Sequence, residues 1–143
     1  MRRLALVVVA GLALAACGSS SHTSTTGDAA AKAQIKSAYE KFFSGQSSVS
    51  ERAAVLQNGT RFKPVIQAFA SNPLAQNVSV TVSSVTLQGA DKAKVVYTVK
   101  LGSAGLPKQN GTAVLQNGTW KVGYASLCRL VALQGSTPSA CKP

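Results

Sequence analysis

Apolar residues fall along the chain in three successive patterns, and each predicts a different kind of element. The first is an unbroken run, Leu4 to Ala13, which follows Arg2-Arg3 and closes on the small residues of Leu14-Ala15-Ala16-Cys17. A run this short does not span a bilayer stably, and a charged start, apolar middle and small-residue end is the build of a signal peptide, here residues 1–16. The second pattern is helical. Ile35, Ala38, Tyr39, Phe42 and Phe43 stand at i, i+3, i+4, i+7 and i+8, which predicts an amphipathic helix stopped by Gly45. Ser48 and Glu51 have capping-box spacing ahead of Ala53 and Leu56, with Asn58-Gly59 as a left-handed stop, so a short second helix is predicted. Thr60 is placed to cap a third, in which Phe62, Val65, Ile66 and Phe69 share a face. Pro64 is tolerated in its first turn, and the helix is expected to end near Asn72-Pro73.

Past Pro73 the period drops to two. Val78, Val80 and Val82 alternate with polar residues, and Ser83-Ser84 then shifts the phase to Val85 and Leu87, which predicts one long strand with a bulge. Ala93, Val95, Tyr97, Val99 and Leu101 alternate with Lys92, Lys94, Thr98 and Lys100, so a second strand is predicted to bury one face. A third strand, around Gly111 to Gln116, meets a fourth, holding Trp120, Val122 and Tyr124, across Asn117-Gly118, a strong hairpin signal. Helices followed by hairpin-linked strands predict a single α+β domain over residues 30–143, with N-terminal helices packed on a curved, mostly antiparallel sheet of about four strands. The heptapeptide Ala54 to Thr60 recurs at Ala113 to Thr119. Its flanks are helical in one copy and strand-like in the other, so the shared part reads as Asn-Gly turn chemistry in two settings and not as a duplication.

Composition and charge refine this picture. Of 143 residues 45% are hydrophobic and 13% charged, enough apolar surface for one core. Fifteen basic residues face four acids, and removal of Arg2 and Arg3 with the leader leaves a net charge of about +9. A field of that sign favours acidic glycans or anionic lipid heads, and Lys92, Lys94 and Lys100 on one strand face, with Lys121 nearby, are the candidate contacts. The same lysines also serve to solvate an outer sheet face. Nucleic acid is not an expected partner, because the few aromatics read as core positions and not as an exposed stacking ladder.

Leu14-Ala15-Ala16-Cys17 resembles the lipobox of bacterial lipoproteins, in which the cysteine is acylated and the chain is cut before it. Cys17 is therefore the expected lipidation site, and the cell membrane, on its extracytoplasmic face, the expected location. Two or three acyl chains give lasting attachment without a helix in the bilayer. Residues 17–29 then form the acylated cysteine and a Ser/Thr/Gly-rich tether. With Cys17 assigned, Cys128 and Cys141 are an even pair in an oxidising compartment and are expected to form a disulfide.

Catalytic residues are scarce. The one histidine, His22, falls in the tether, and the acids are Asp28, Glu40, Glu51 and Asp91, each at a position with an ordinary structural use. No metal cluster, cofactor motif or phosphate-binding glycine loop is present, so neither a catalytic site, a metal nor a cofactor is expected.

Gly118-x-Trp120-Lys121-Val122, then Leu127-Cys128-x-Leu130-Val131-Ala132-Leu133, then Pro138-x-x-Cys141 resembles the low-molecular-weight secreted antigen family of mycobacteria and its actinobacterial lipoprotein relatives. The resemblance implies a cystatin-like, nuclear transport factor 2-like cone, a location in the cell envelope and antigenicity, and it carries no catalytic motif. Within such a cone Tyr39, Phe43, Tyr97, Trp120 and Tyr124 are the expected lining of a small apolar cavity. The expected function is a membrane-anchored, non-enzymatic binding or accessory module that takes a hydrophobic ligand or an envelope protein. The alternatives are a small-molecule enzyme of the same fold and a dimeric scaffold that uses the open sheet face.

Overall fold

The computed structural model describes residues 22–142. The expected leader, Cys17 and the expected tether up to position 21 lie outside the described residues. Helix α1 (His22–Phe43) begins within the stretch expected to be tether, so residues 22–29 continue the helix instead of leading loosely to it. Ile35, Ala38, Tyr39, Phe42 and Phe43 are all buried, so the helical period identified the face that meets the sheet.

The chain leaves α1 through Ser44–Ser48 and enters α2 (Val49–Ala54) with both halves of the capping box formed. The Glu51 N–H donates to Ser48 Oγ at 3.2 Å, and the Ser48 N–H donates to Glu51 Oε2 at 2.8 Å. Arg52, only 2% exposed, holds this entry loop: Nε donates to the Ser47 carbonyl at 3.1 Å and Nη2 to that of Ser44 at 2.8 Å. Helix α3 (Gly59–Ala70) is capped by Asn58, not by Thr60. The Asn58 side chain makes no cap bond because its Oδ1 accepts from Gln116 Nε2 at 2.7 Å. A 3-10 turn, Pro73–Asn77, then delivers the chain to the sheet.

Strands β1 (Val78–Leu87), β2 (Lys92–Leu101), β4 (Gln109–Gln116) and β5 (Thr119–Val122) pair antiparallel in the order β1-β2-β4-β5. A two-residue strand, β3 (Ala104–Gly105), pairs beside them on β2. The bulge lies where the sequence predicts it, since the register steps from Val82↔Tyr97 to Ser84↔Val96. Asn117 and Gly118 both hold positive φ, 52° and 73°, the pairing a two-residue hairpin needs. The outer edge of β5 is covered by the α2–α3 link: Leu56 bridges to Val122 in parallel, and the Gln57 N–H donates to the Val122 carbonyl at 2.8 Å.

Strand β5 ends at Val122, two residues short of the predicted Tyr124. Gly123 turns the chain there and its N–H donates to the Thr112 carbonyl at 2.7 Å. Helix α4 (Tyr124–Leu133) follows, with Leu127 and Val131 buried, and leads to a 3-10 turn at Ser139–Cys141. Cys128 and Cys141 are disulfide-bonded, Cα to Cα 5.5 Å, and fasten the tail to α4. The architecture is the expected α+β arrangement, N-terminal helices on a curled antiparallel four-strand sheet. Among the described residues no helix is long and apolar enough to cross a membrane.

Candidate functional site

Four of the five aromatics expected around a cavity fill the space between α1 and the sheet. Tyr39, Phe43, Tyr97 and Trp120 are buried, with ring centroids 5.1 Å apart for Tyr39 and Tyr97 and 5.4 Å for Phe43 and Tyr97. Tyr124 is not among them. It is 41% exposed and stacks on Phe62 at 5.5 Å, because Gly123 redirects the chain before it could continue on the inner face of β5.

The polar centre of this packing is a hydroxyl network. Tyr39 Oη donates to the Thr112 carbonyl at 2.7 Å, and Ser126 Oγ accepts from the Thr112 N–H at 3.1 Å. With its own hydrogen so committed, the Tyr39 oxygen accepts from the Ser126 hydroxyl at 3.1 Å. Burial raises the Tyr39 pKa well above the ordinary phenol value, and burial raises that of Tyr97 too, so both stay neutral. Ser126 has no base beside it, since its partners are a tyrosine hydroxyl and a backbone N–H. Over this network lies a pocket of about 290 Å³ where Lys94 and Arg129 meet Thr112 and Ser126.

Of the five aromatics, Trp120 lines an apolar hollow of about 380 Å³ with Ala33, Ala38 and Val55, and a larger apolar space lies along α3. A groove of about 520 Å³ runs between Pro64, Val65, Ala68 and Phe69 of the helix and Val131 of α4 with Pro138 and Ala140 of the disulfide-closed tail. Its size is that of small-molecule pockets, about 300–1,000 Å³. The helical face at 61, 64, 65 and 68 supplies one wall, and the Cys128–Cys141 bond holds the other at a fixed distance from α4.

A second cleft, of about 700 Å³, opens at the start of α3 and is lined by Arg61, Lys63 and Lys121 together with Asn58, Gln116 and Asn117. Here the two copies of the repeated heptapeptide meet. The Asn58 N–H donates to Gln116 Oε1 at 3.1 Å while Gln116 Nε2 donates to Asn58 Oδ1, and Asn58 takes a positive φ of 53° like Asn117. Arg61 lines the cleft and the groove alike.

The lysines singled out from the sequence are distributed over the outer sheet face and two hollows. Lys92 and Lys121 both stand opposite Val114 and so share the outer sheet face, but Lys121 lines the basic cleft and Lys92 does not. Lys94 belongs to the pocket over Ser126, and Lys100 stands toward the other end of β2, opposite Ser79. The acids are used structurally or stand apart: Glu51 in the capping box, Glu40 3.8 Å from Lys36, Asp28 and Asp91 exposed. None of the four lines the groove, the cleft or the pocket over Ser126. Among the described residues there is no group of three or more metal-ligating side chains.

Sequence reasoning missed Arg61, Lys63, Pro64 and Pro138 as site residues. The signal available was the pairing of two basic residues with an apolar i, i+3, i+4 face on one short helix, which reads equally as a solvated flank.

Residues 28–138 match the family model described as low molecular weight antigen MTB12, C-terminal domain. Comparison with curated proteins finds no match. Among solved structures the chain is similar to a Campylobacter jejuni protein described as an NTF2-like transpeptidase, at 14% identity and a TM-score of 0.41. That alignment covers 68% of this chain and 96% of that one.

Proposed function

The chain belongs to the family of the low molecular weight antigen MTB12 C-terminal domain, and from that premise we propose that it is a non-enzymatic binding module of the cell envelope, held on the extracytoplasmic face of the membrane by acylated Cys17. The observation that carries the reading is the groove beside α3: a fixed apolar trough of small-molecule size, open to solvent, with no carboxylate or imidazole in its lining. A groove of that kind supplies shape and apolar contact, which suffice for binding, and lacks the proton-transferring groups that turnover requires. The inner hydroxyl network supports the same view, because each of its hydrogens is committed to a neighbour.

Mass spectrometry of the full chain extracted from membranes, followed by organic extraction, tests both halves. A diacylglyceryl-modified Cys17 with a co-extracted apolar compound is the expected result. An unmodified chain released to the medium overturns the anchor, and turnover of a compound by the purified chain overturns the non-enzymatic reading.

A further inference from the structure

We propose that the basic cleft and the apolar groove form one continuous site for a single-chain anionic amphiphile, whose carboxylate or phosphate head lies among Arg61, Lys63 and Lys121 and whose tail lies between α3 and the disulfide-closed tail of the protein. The inference rests on the reading of the chain as a binding module and names the class of ligand. Its basis is the position of Arg61, which borders both spaces, on a helix whose next turns carry the groove wall Pro64, Val65, Ala68 and Phe69. The Arg61 guanidinium stands over the Phe62 ring at 5.9 Å, so the charge is held against the helix at the junction.

Charge argues for the sign of the head. The cleft brings three cations together with amide side chains and contains no carboxylate in its lining. Among the described residues none of Arg61, Lys63 and Lys121 has a carboxylate within 4.0 Å, and Glu51, the acid nearest in sequence to Arg61 and Lys63, is engaged with the Ser48 N–H. Three like charges around one concave space repel one another, and an anion placed among them relieves that repulsion while accepting hydrogen bonds from the guanidinium. Apolarity argues for the tail. Val65, Phe69, Pro138 and Ala140 remain partly exposed in the trough, so an alkyl chain laid there removes their surface from water. A free anion would leave the groove unfilled, and a neutral apolar molecule would leave the cations unmatched.

Calorimetric titration of the full chain carrying Cys17→Ser, so that no acyl chain of its own competes, tests this with three probes below any micelle concentration: dodecyl phosphate, dodecyl maltoside and inorganic phosphate. Dodecyl phosphate is expected to bind one site at least about tenfold more tightly than either other probe. Arg61→Ala, at an exposed position, is expected to remove about tenfold of that advantage, and Ala68→Trp to weaken both dodecyl ligands alike by filling the trough. Equal binding of dodecyl maltoside overturns the anionic head and leaves the binding module standing. Equal binding of inorganic phosphate overturns the tail, and dodecyl phosphate binding indifferent to both substitutions overturns the site. If none of the probes binds, the amphiphile site is overturned, and the binding-module reading is decided by the extraction from membranes.

Discussion

Gly111 lies where β4 passes over the ends of two tyrosines. A Cβ at that position would run into Tyr39 Oη, Ser126 Oγ and Tyr97 Cε1, so the absence of a side chain lets the Tyr39 hydroxyl reach the β4 backbone. Gly111→Ala is therefore expected to destabilise the fold by about 1–3 kcal/mol, the usual cost of forcing volume into a packed interior, and a denaturant midpoint unchanged from the parent would refute it. Tyr39 itself was legible in the sequence as a core residue. Its partner was not, because the Tyr39–Ser126 contact spans 87 residues and no local pattern encodes it. Arg52 shows the same limit from the other side. A basic residue in a short helix reads as solvated, yet here carbonyls of the preceding loop draw it inside, and burial lowers its pKa without a carboxylate to offset it. Nη1 of Arg52 is left without a partner, so the loop is held by two hydrogen bonds and by the guanidinium's approach to Phe69 at 5.5 Å.

Elements whose signals are local came through faithfully. The capping box of α2, the β1 bulge at Ser83-Ser84 and the Asn117-Gly118 hairpin each depend on residues within a few positions of one another, and each formed where the pattern placed it. Elements that depend on distant contacts did not. Helix α3 starts at Gly59, ahead of the expected Thr60, and the side chain of its N-cap Asn58 is taken up by Gln116, across the fold, instead of capping the helix. Helix α4 went unread for a different reason: Gly123 offers no side-chain cap, and the apolar spacing of Leu127, Leu130 and Val131 is too brief to announce a helix beside a strand pattern running up to Tyr124. The capping box also sets a pH response. Hydrogen bonds from Ser48 hold the Glu51 carboxyl below its ordinary range, so its contribution to stability is complete above the ordinary glutamate pKa and is lost as pH falls through the lower, folded value. Thermal melts from neutral pH into that acidic window should show a falling Tm, and Glu51→Gln should flatten the slope; a variant whose Tm falls as steeply as the parent's would exclude Glu51 as a source.

Taken whole, the molecule has a core between α1 and the sheet and, beside α3, a groove whose far wall is its own C-terminal segment. The Cys128–Cys141 bond, with a separation of 13 residues, closes a loop short enough to contribute about 3 kcal/mol through the unfolded chain. Replacing both cysteines by serine should lower stability by about that amount in urea titrations, and an unchanged midpoint would mean that packing alone holds the tail. The α+β class and helix-then-strand order were legible from periodicity, and the family from the Trp120-Lys121-Val122 strand and paired cysteines. The site was only half legible, because Tyr39, Phe43 and Tyr97 became filling and the larger open space fell between α3 and a tail whose path is set by a covalent bond. There remains the long first helix. Residues 27–30 of α1 are exposed and Ile35 is the first fully buried position, so the helix begins ahead of the packed core. At about 1.5 Å per residue, His22 to Ala30 extend it by roughly 13 Å. Were the chain held by its N-terminus, such a stem would turn an anchor point into a bearing. The domain and the rod then turn as one body, because the helix runs without a break from His22 to Phe43.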